Sequence, residues 1–155
     1  MAARSEEVQL SRLRIEGLPK FLPALDRVKV LRVLHGDTLV VGAILNGKAA
    51  QHALRLVGID TADRRSKKTD NVKCAEESRA FLQSLVEGRV LQVSVHGTDK
   101  FGKVLVTATD PDTPTDTLND IMVREGLALA RSGSTKRSDV DWRKVRAAAQ
   151  GANTD

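Results

Sequence analysis

The chain has 155 residues, the length of one ordinary domain, which does not suit a two-domain enzyme with a cleft between its domains. Hydrophobic residues make up 41% of it and charged residues 29%, so the composition predicts a folded core. Cys74 is the single cysteine, which excludes an internal disulfide, and the sequence has no zinc-finger spacing of Cys and His. The net charge is +5, and its positive excess lies in residues 1–74, which indicates a nucleic acid or another acidic partner.

The sequence carries no clear targeting segment. No apolar run approaches the roughly 18 residues of a membrane span. The first residues lack the apolar stretch of a secretory signal, and Glu6 and Glu7 depart from the pattern of a mitochondrial presequence. Localisation therefore stays open; we expect an intracellular protein, with a mitochondrial location still allowed if a presequence has been removed.

The sequence predicts an N-terminal arm over residues 1–26 and a folded domain over residues 27–155. The arm carries apolar residues, but Gly17, Pro19 and Pro23 break any long helix. We therefore expect either a short helix or an extended segment that leads to the first strand.

From residue 28 onward the hydrophobic pattern is that of short strands. His35 to Thr38 form a predicted turn, and Asn46-Gly47 is a strong hairpin signal between the second and third strands. The predicted strands cover residues 28–34, 39–45, 53–59, 90–95 and 104–109.

Hydrophobic periodicity and the positions of glycine residues predict three helices. The first carries Ser78, Leu82 and Val86 on one face and is followed by Gly88. A short helix covers residues 118–125, and a terminal helix covers residues 138–150. Five twisted strands around a helix favour a mainly β, α+β fold: a small OB-like barrel with about three helices.

The element order and five short motifs together resemble the thermonuclease family, whose members are staphylococcal-nuclease-like domains, across about residues 28–150. The motifs occur in the family's order. They are residues 33–38 (VLHGDT), 54–61 (LRLVGIDT), 77–81 (ESRAF), 99–103 (DKFGK) and 118–128 (LNDIMVREGLA).

This resemblance implies a Ca²⁺-dependent phosphodiesterase fold acting on DNA and RNA. It implies Asp37, Asp60 and the main-chain oxygen of Thr61 as the calcium ligands, and oxygen ligands are those that Ca²⁺ prefers. Arg55 matches one family arginine, whose planar guanidinium can contact two phosphate oxygens at once. Asp37 also suits a plain turn aspartate, and Arg55 with Asp60 also suits a structural ion pair.

Other positions depart from the family pattern. Asp63 stands where the family has a longer glutamate that orients water, and Ala62 replaces a proline. Lys103 replaces the second arginine and cannot make its bidentate contact. Phe101 keeps the ring of a family tyrosine without its hydroxyl, and the second nucleotide-contacting tyrosine falls near Ser132, which cannot stack on a base.

A basic loop over residues 64–73 is the best nucleic-acid candidate, because clustered cations attract phosphates without sequence readout. A solvated loop with no ligand is the alternative. Its five cations are Arg64, Arg65, Lys67, Lys68 and Lys73.

Two functional hypotheses follow. The first is a non-catalytic accessory or structural subunit, held in a larger protein or ribonucleoprotein assembly by its N-terminal arm and basic surface. The resemblance implies Ca²⁺ as a cofactor, and the altered site leaves open whether its binding is kept or lost. The alternative is an active Ca²⁺-dependent nuclease that uses Arg55, Asp63 and Lys103 as catalytic residues. A metal-independent single-strand binder is a third reading, disfavoured by the shortage of aromatic residues.

Overall fold

The computed structural model describes residues 2–131, 137 and 140–152 and confirms the predicted mainly β fold with a five-stranded OB-like barrel. In these residues the helices and strands follow one another along the chain in the order α1 (Ala2–Ser11), β1 (Arg27–His35), β2 (Thr38–Leu45), β3 (Lys48–Leu56), β4 (Ile59–Asp60), α2 (Thr69–Val86), β5 (Val90–Thr98), β6 (Val104–Thr109), α3 (Leu118–Arg124), β7 (Leu129–Ala130) and α4 (Trp142–Ala152).

The barrel closes in the strand order β1-β2-β3-β6-β5, with β5 pairing back onto β1. Its neighbouring strands are antiparallel except for β3 and β6, which run parallel. Every barrel strand has two partners, so the closed barrel has no open edge. The two-residue strands β4 and β7 form a separate small sheet beside the barrel.

Alternating side chains explain why these segments are strands with a filled interior. Along β6, Val104, Val106 and Ala108 point into the core while the residues between them are partly exposed. Leu54 and Leu56 of β3 are fully buried beside them. Apolar burial of this kind is the main favourable contribution to folding.

Helix α2 covers one end of the barrel with the face that the periodicity predicts. Ser78, Leu82 and Val86 are buried, and Phe81 and Leu85 pack against the same core. The helix begins at Thr69, so Lys73 lies in its first turns and not in the basic loop as predicted. An amphipathic helix of this kind buries its apolar face against the barrel and leaves its polar face exposed.

The third predicted strand is in fact two strands. Residues 48–56 pair with β2, the chain turns at residues 57 and 58, and Ile59–Asp60 then pairs with β7. Gly58 has a φ of 81°, a conformation that breaks an extended strand. This break directs Asp60 and Thr61 away from the barrel wall.

The terminal helix starts at Trp142 in the structure, and the earlier predicted start at Ser138 lies outside the described residues. Trp142 is buried in a second apolar cluster with Ala62 and Ala75. The helix therefore packs on α2 and on the segment after β4, and not on the barrel interior. None of the described helices is long and apolar enough to cross a membrane.

The arm contains the helix α1 followed by a segment without regular structure. Its large apolar side chains are exposed up to Leu22, whereas Pro23 and Leu25 are buried against the domain. Residues 3–22 thus form an exposed segment in which large apolar side chains alternate with charged ones.

Asn119 ties the barrel wall to the turn that precedes β4. Its Nδ2 donates to the carbonyl oxygens of Val57 (2.8 Å) and Val106 (3.2 Å), and its Oδ1 accepts from the Ala108 N–H (3.2 Å). We expect Asn119→Leu to lower the free energy of unfolding by about 3 kcal/mol, because buried polar groups lose their partners. Urea unfolding measures the loss. Thr117→Ala, which removes the N-cap of the same helix, should cost only about 1 kcal/mol; an equal cost for both variants would contradict this role.

Candidate active site

A cleft of about 440 Å³ opens at the end of the barrel where β1 turns into β2 and β5 turns into β6. It brings together seven of the predicted site residues from four separate stretches of the chain. Its lining consists of His35, Asp37, Thr38, Arg55, Asp63, Arg64, Arg65, Asp99, Phe101, Lys103 and Arg137.

Asp37 is fixed in the β1–β2 turn and is almost fully buried. Its Oδ1 accepts a hydrogen bond from the Thr38 hydroxyl at 2.9 Å. The turn lies tightly against α2: a Cβ on Gly36 would stand 2.6 Å from the Cβ of Ser78. Only glycine allows this approach, and the approach fixes the position of Asp37.

Arg55 connects the two predicted carboxylate ligands. One of its terminal nitrogens donates to Asp60 Oδ1 at 3.1 Å, and its Nε lies 3.6 Å from Asp37 Oδ2. The strand register explains this position, because Arg55 of β3 pairs with Thr38 of β2, the residue that follows Asp37. The structural ion pair considered from sequence is therefore present, and it gathers both carboxylates at one guanidinium.

The Thr61 carbonyl oxygen, the third predicted ligand, is contacted by an arginine that the sequence analysis did not single out. Arg137 Nε donates to Thr61 O at 2.5 Å, and an Arg137 terminal nitrogen donates to Ala62 O at 3.1 Å. Thr61 is buried, and its hydroxyl has no hydrogen-bond partner among the described residues. No spacing signal could have found Arg137, because it lies far along the chain and outside the five motifs.

Asp63 lies in the cleft, but its carboxylate also serves its own loop. Its Oδ1 accepts from the Arg65 N–H at 2.9 Å, as aspartates do in turns. Arg64 and Arg65 are exposed at the cleft. Lys67, Lys68 and Lys73 are exposed but do not line it.

The β5–β6 turn presents Phe101 and Lys103 to the cleft. Asp99 organises this turn, since its Oδ1 accepts from the N–H groups of Phe101 and Lys103 at 2.9 Å each. The Phe101 ring is 73% exposed, with the ammonium groups of Lys100 and Lys103 at 5.2 and 5.7 Å from its centroid. Such distances allow cation–π attraction. Ser132, considered from sequence for base stacking, lies outside the described residues.

His35 was not predicted as a site residue, although it directly precedes the Gly36-Asp37 turn. Partial burial lowers its pKa below the ordinary value, and the nearby positive charge of Arg64 lowers it further. Asp37 acts in the opposite direction, and Lys103 and Arg137 add smaller lowering effects. The ring is therefore mainly neutral at pH 7.

The oxygen atoms at this site suit a hard cation. Asp37 and Asp60 supply carboxylate oxygens and Thr61 supplies a carbonyl oxygen, the donor types that Ca²⁺ prefers. In the described parts of the chain no group of three or more His, Cys, Asp or Glu side chains could hold a metal ion. Two carboxylates and one carbonyl would account for only part of the usual six to eight Ca²⁺ ligand positions.

The closed five-stranded barrel is consistent with the OB-like fold of staphylococcal-nuclease-like domains. The family model of the staphylococcal nuclease homologue matches residues 53–155, more than half of the chain. The chain therefore belongs to the staphylococcal nuclease family. The matched residues begin within β3, so Asp37 and the first two strands lie outside them, and the structure supplies their place in the same barrel.

A curated relative is similar over a comparable stretch. An uncharacterized endonuclease of Escherichia coli is 33% identical over 100 residues, which cover 64% of this chain and 58% of the relative. The aligned part thus spans less than two thirds of that protein's length.

The lowered pKa of His35 makes stability depend on pH. The unfolded chain binds this proton more tightly than the folded chain, so stability is full above the unfolded value of about 6.5 and falls as pH drops through the folded value. We expect His35→Gln to flatten the fall in unfolding free energy below about pH 6.5. Urea unfolding across pH tests this, and an unchanged slope in the variant would exclude His35 as its source.

Proposed function

We propose that the protein is a Ca²⁺-dependent nuclease that hydrolyses phosphodiester bonds of DNA or RNA in this cleft. The observation that carries the proposal is the contact of one guanidinium, Arg55, with both Asp37 and Asp60 beside a cleft that also contains Asp63 and Lys103. The family membership and the printed name of the bacterial relative, an endonuclease, support the same activity.

In this proposal the site residues have three roles: holding the metal, binding the phosphate and orienting the attacking water. Asp37, Asp60 and the Thr61 carbonyl oxygen would hold Ca²⁺, which polarises a phosphoryl oxygen when bound. Arg55 and Lys103 bind phosphate oxygens and offset the negative charge that grows during displacement. Asp63 accepts a hydrogen bond from the attacking water and orients it.

The substitutions at two positions predict slow hydrolysis. Asp63 is one methylene shorter than glutamate, and its carboxylate already accepts a hydrogen bond from the Arg65 N–H. Lys103 supplies a point charge in place of a planar fork. Misplacement by about 1 Å can reduce a rate by about 100-fold, so these changes lower the rate while leaving the binding site in place.

Nucleic acid would follow the cations at the rim of the cleft. Arg64 and Arg65 attract phosphates, and the exposed Phe101 ring offers a face on which one base can stack. Lys67, Lys68 and Lys73 extend the positive surface beyond the cleft. A phosphate-based interface of this kind accepts many sequences.

Cleavage of labelled single-stranded DNA and RNA tests the activity. We expect slow cutting with Ca²⁺, none with chelator, and none by an Asp37→Asn/Asp60→Asn double variant, which removes both ligand charges with little change in shape. Absence of cutting by the folded wild-type protein at saturating Ca²⁺ would reject the nuclease proposal.

Asp63→Glu/Lys103→Arg is the matched gain-of-function variant. It restores the longer carboxylate and the bidentate guanidinium, and we expect the single-turnover rate to rise at least about tenfold. An unchanged rate in a folded variant would show that these two positions do not limit catalysis.

The exposed arm favours a second candidate function, that of an accessory subunit held in a larger assembly, with or without catalysis. Seven large apolar side chains lie exposed between residues 8 and 22, and exposed apolar side chains concentrated in one segment support an interaction role. They are Val8, Leu10, Leu13, Ile15, Leu18, Phe21 and Leu22.

Deletion of residues 1–22 tests the accessory role while keeping the buried Leu25. We expect an unchanged barrel melting temperature and the loss of partners that co-purify with the tagged wild-type protein from its own cells. Ile15→Ser/Phe21→Ser is the matched variant, since these two are the most exposed of the arm's large apolar side chains, and it should lose the same partners. Unchanged co-purification would reject the arm as an anchor.

A further inference from the structure

Arg137 connects the C-terminal part of the chain to the predicted metal-binding segment. It donates one hydrogen bond to Thr61 O and another to Ala62 O, and its side chain is also part of the cleft lining. These contacts join residues more than seventy positions apart in the sequence. Arg137 is thus placed at the same oxygen that the proposed function assigns to Ca²⁺.

A guanidinium and a divalent cation at one carbonyl oxygen repel each other. Both are positively charged, and the site is partly buried, where water weakens charge interactions less than at the surface. Arg55 already places a second guanidinium on Asp37 and Asp60. A cation entering this site therefore meets two arginines in contact with its ligands.

The same guanidinium favours an anion. Arginine has five N–H donors, and the two contacts to main-chain oxygens are the hydrogen bonds that Arg137 donates to the described residues, so three donors are not used by this part of the chain. Arg137 lines the cleft with Arg55, Arg64 and Lys103. A phosphate group in the cleft would meet Arg137 as a further cationic donor, the role for which the planar fork is suited.

We propose that Arg137 acts in opposite directions on the two ligands of this site: it weakens divalent-cation binding at Thr61 and strengthens phosphate binding in the cleft. The inference rests on the proposed function, since it takes the Thr61 oxygen as a cation ligand. It adds a determinant of affinity from outside the motifs that carry the family resemblance.

Calcium titration calorimetry tests the first effect without any need for cleavage. We expect Arg137→Gln to bind Ca²⁺ about tenfold more tightly than the wild-type protein, since one repelling charge is removed. Arg137→Lys keeps the charge and should stay close to the wild-type affinity. Arg143→Gln is the matched control: it removes an equal charge from a 78% exposed side chain of α4 that does not line the cleft, and it should leave the Ca²⁺ affinity unchanged.

Fluorescence anisotropy with a labelled oligothymidylate in chelator tests the second effect. We expect Arg137→Gln to bind this single strand about threefold to tenfold more weakly, with a shallower salt dependence by about 0.7 in the log–log slope. A purely structural tie to Thr61 would instead loosen the loop and weaken both ligands together. Opposite changes for Ca²⁺ and DNA would therefore support the inference, and parallel changes would overturn it.

The outcomes also separate this inference from the nuclease proposal. Ca²⁺ binding by Arg137→Gln but not by the wild-type protein would support the role of Arg137 and contradict Ca²⁺-dependent cutting by the wild type. Cutting by the wild type with no tighter Ca²⁺ binding in Arg137→Gln would overturn the role of Arg137 alone. Circular dichroism checks folding; if Arg137→Gln does not fold, Arg137→Met takes its place, and failure of both would make Arg137 a structural tie and overturn the inference.

Discussion

The ion pairs of Arg55 with Asp37 and Asp60 are the constraint on which the site depends. Asp37 is buried in a turn, and a buried carboxylate without a partner would cost several kcal/mol. Arg55 offsets that cost, and the same guanidinium contacts Asp60 on β4. The β1–β2 turn, the end of β3 and the start of β4 are thereby held at one point. The same arrangement places the carboxylates and the guanidinium where the proposed function requires a cation and a phosphate.

The surrounding scaffold explains why the carboxylates reach Arg55 at all. Gly36 lets the first turn lie against α2, and the Ser78 hydroxyl of that helix donates to the Leu127 carbonyl oxygen at 2.7 Å, which ties α2 to the segment after α3. Asn119 holds the turn before β4 to the wall of the barrel. The small and polar residues Gly36, Ser78 and Asn119 thus hold in place the segments that carry the charged site residues. These contacts join residues that are far apart in the sequence. Substitution of Gly36, Ser78 or Asn119 is therefore expected to move the residues that line the cleft, although none of the three lines it.

Local chemistry was readable from the sequence, and contacts between distant segments were not. Alternating apolar residues and the Asn46-Gly47 turn predicted the barrel strands, and the motif with Arg55 and Asp60 predicted their meeting. The break at Gly58 was missed because the apolar run continues through it, and the early start of α2 was missed because its first turns are polar and basic. Arg137 was missed for a different reason: its contact with Thr61 comes from tertiary packing, which leaves no periodicity or spacing in the sequence.

The charged side chains that line the cleft do not neutralise one another completely. Five cationic side chains line it against three carboxylates, so the cleft is positive although the C-terminal half of the chain carries no positive excess. Arg55 contacts the carboxylates of Asp37 and Asp60, and Arg137 donates to the carbonyl oxygens of Thr61 and Ala62. Under the proposed function, a nucleic-acid phosphate would bring the negative charge that the lining lacks, and a divalent cation would take the oxygens that the arginines contact. Each ligand would then relieve the repulsion that the other one meets, and such a site would favour the two together over either one alone.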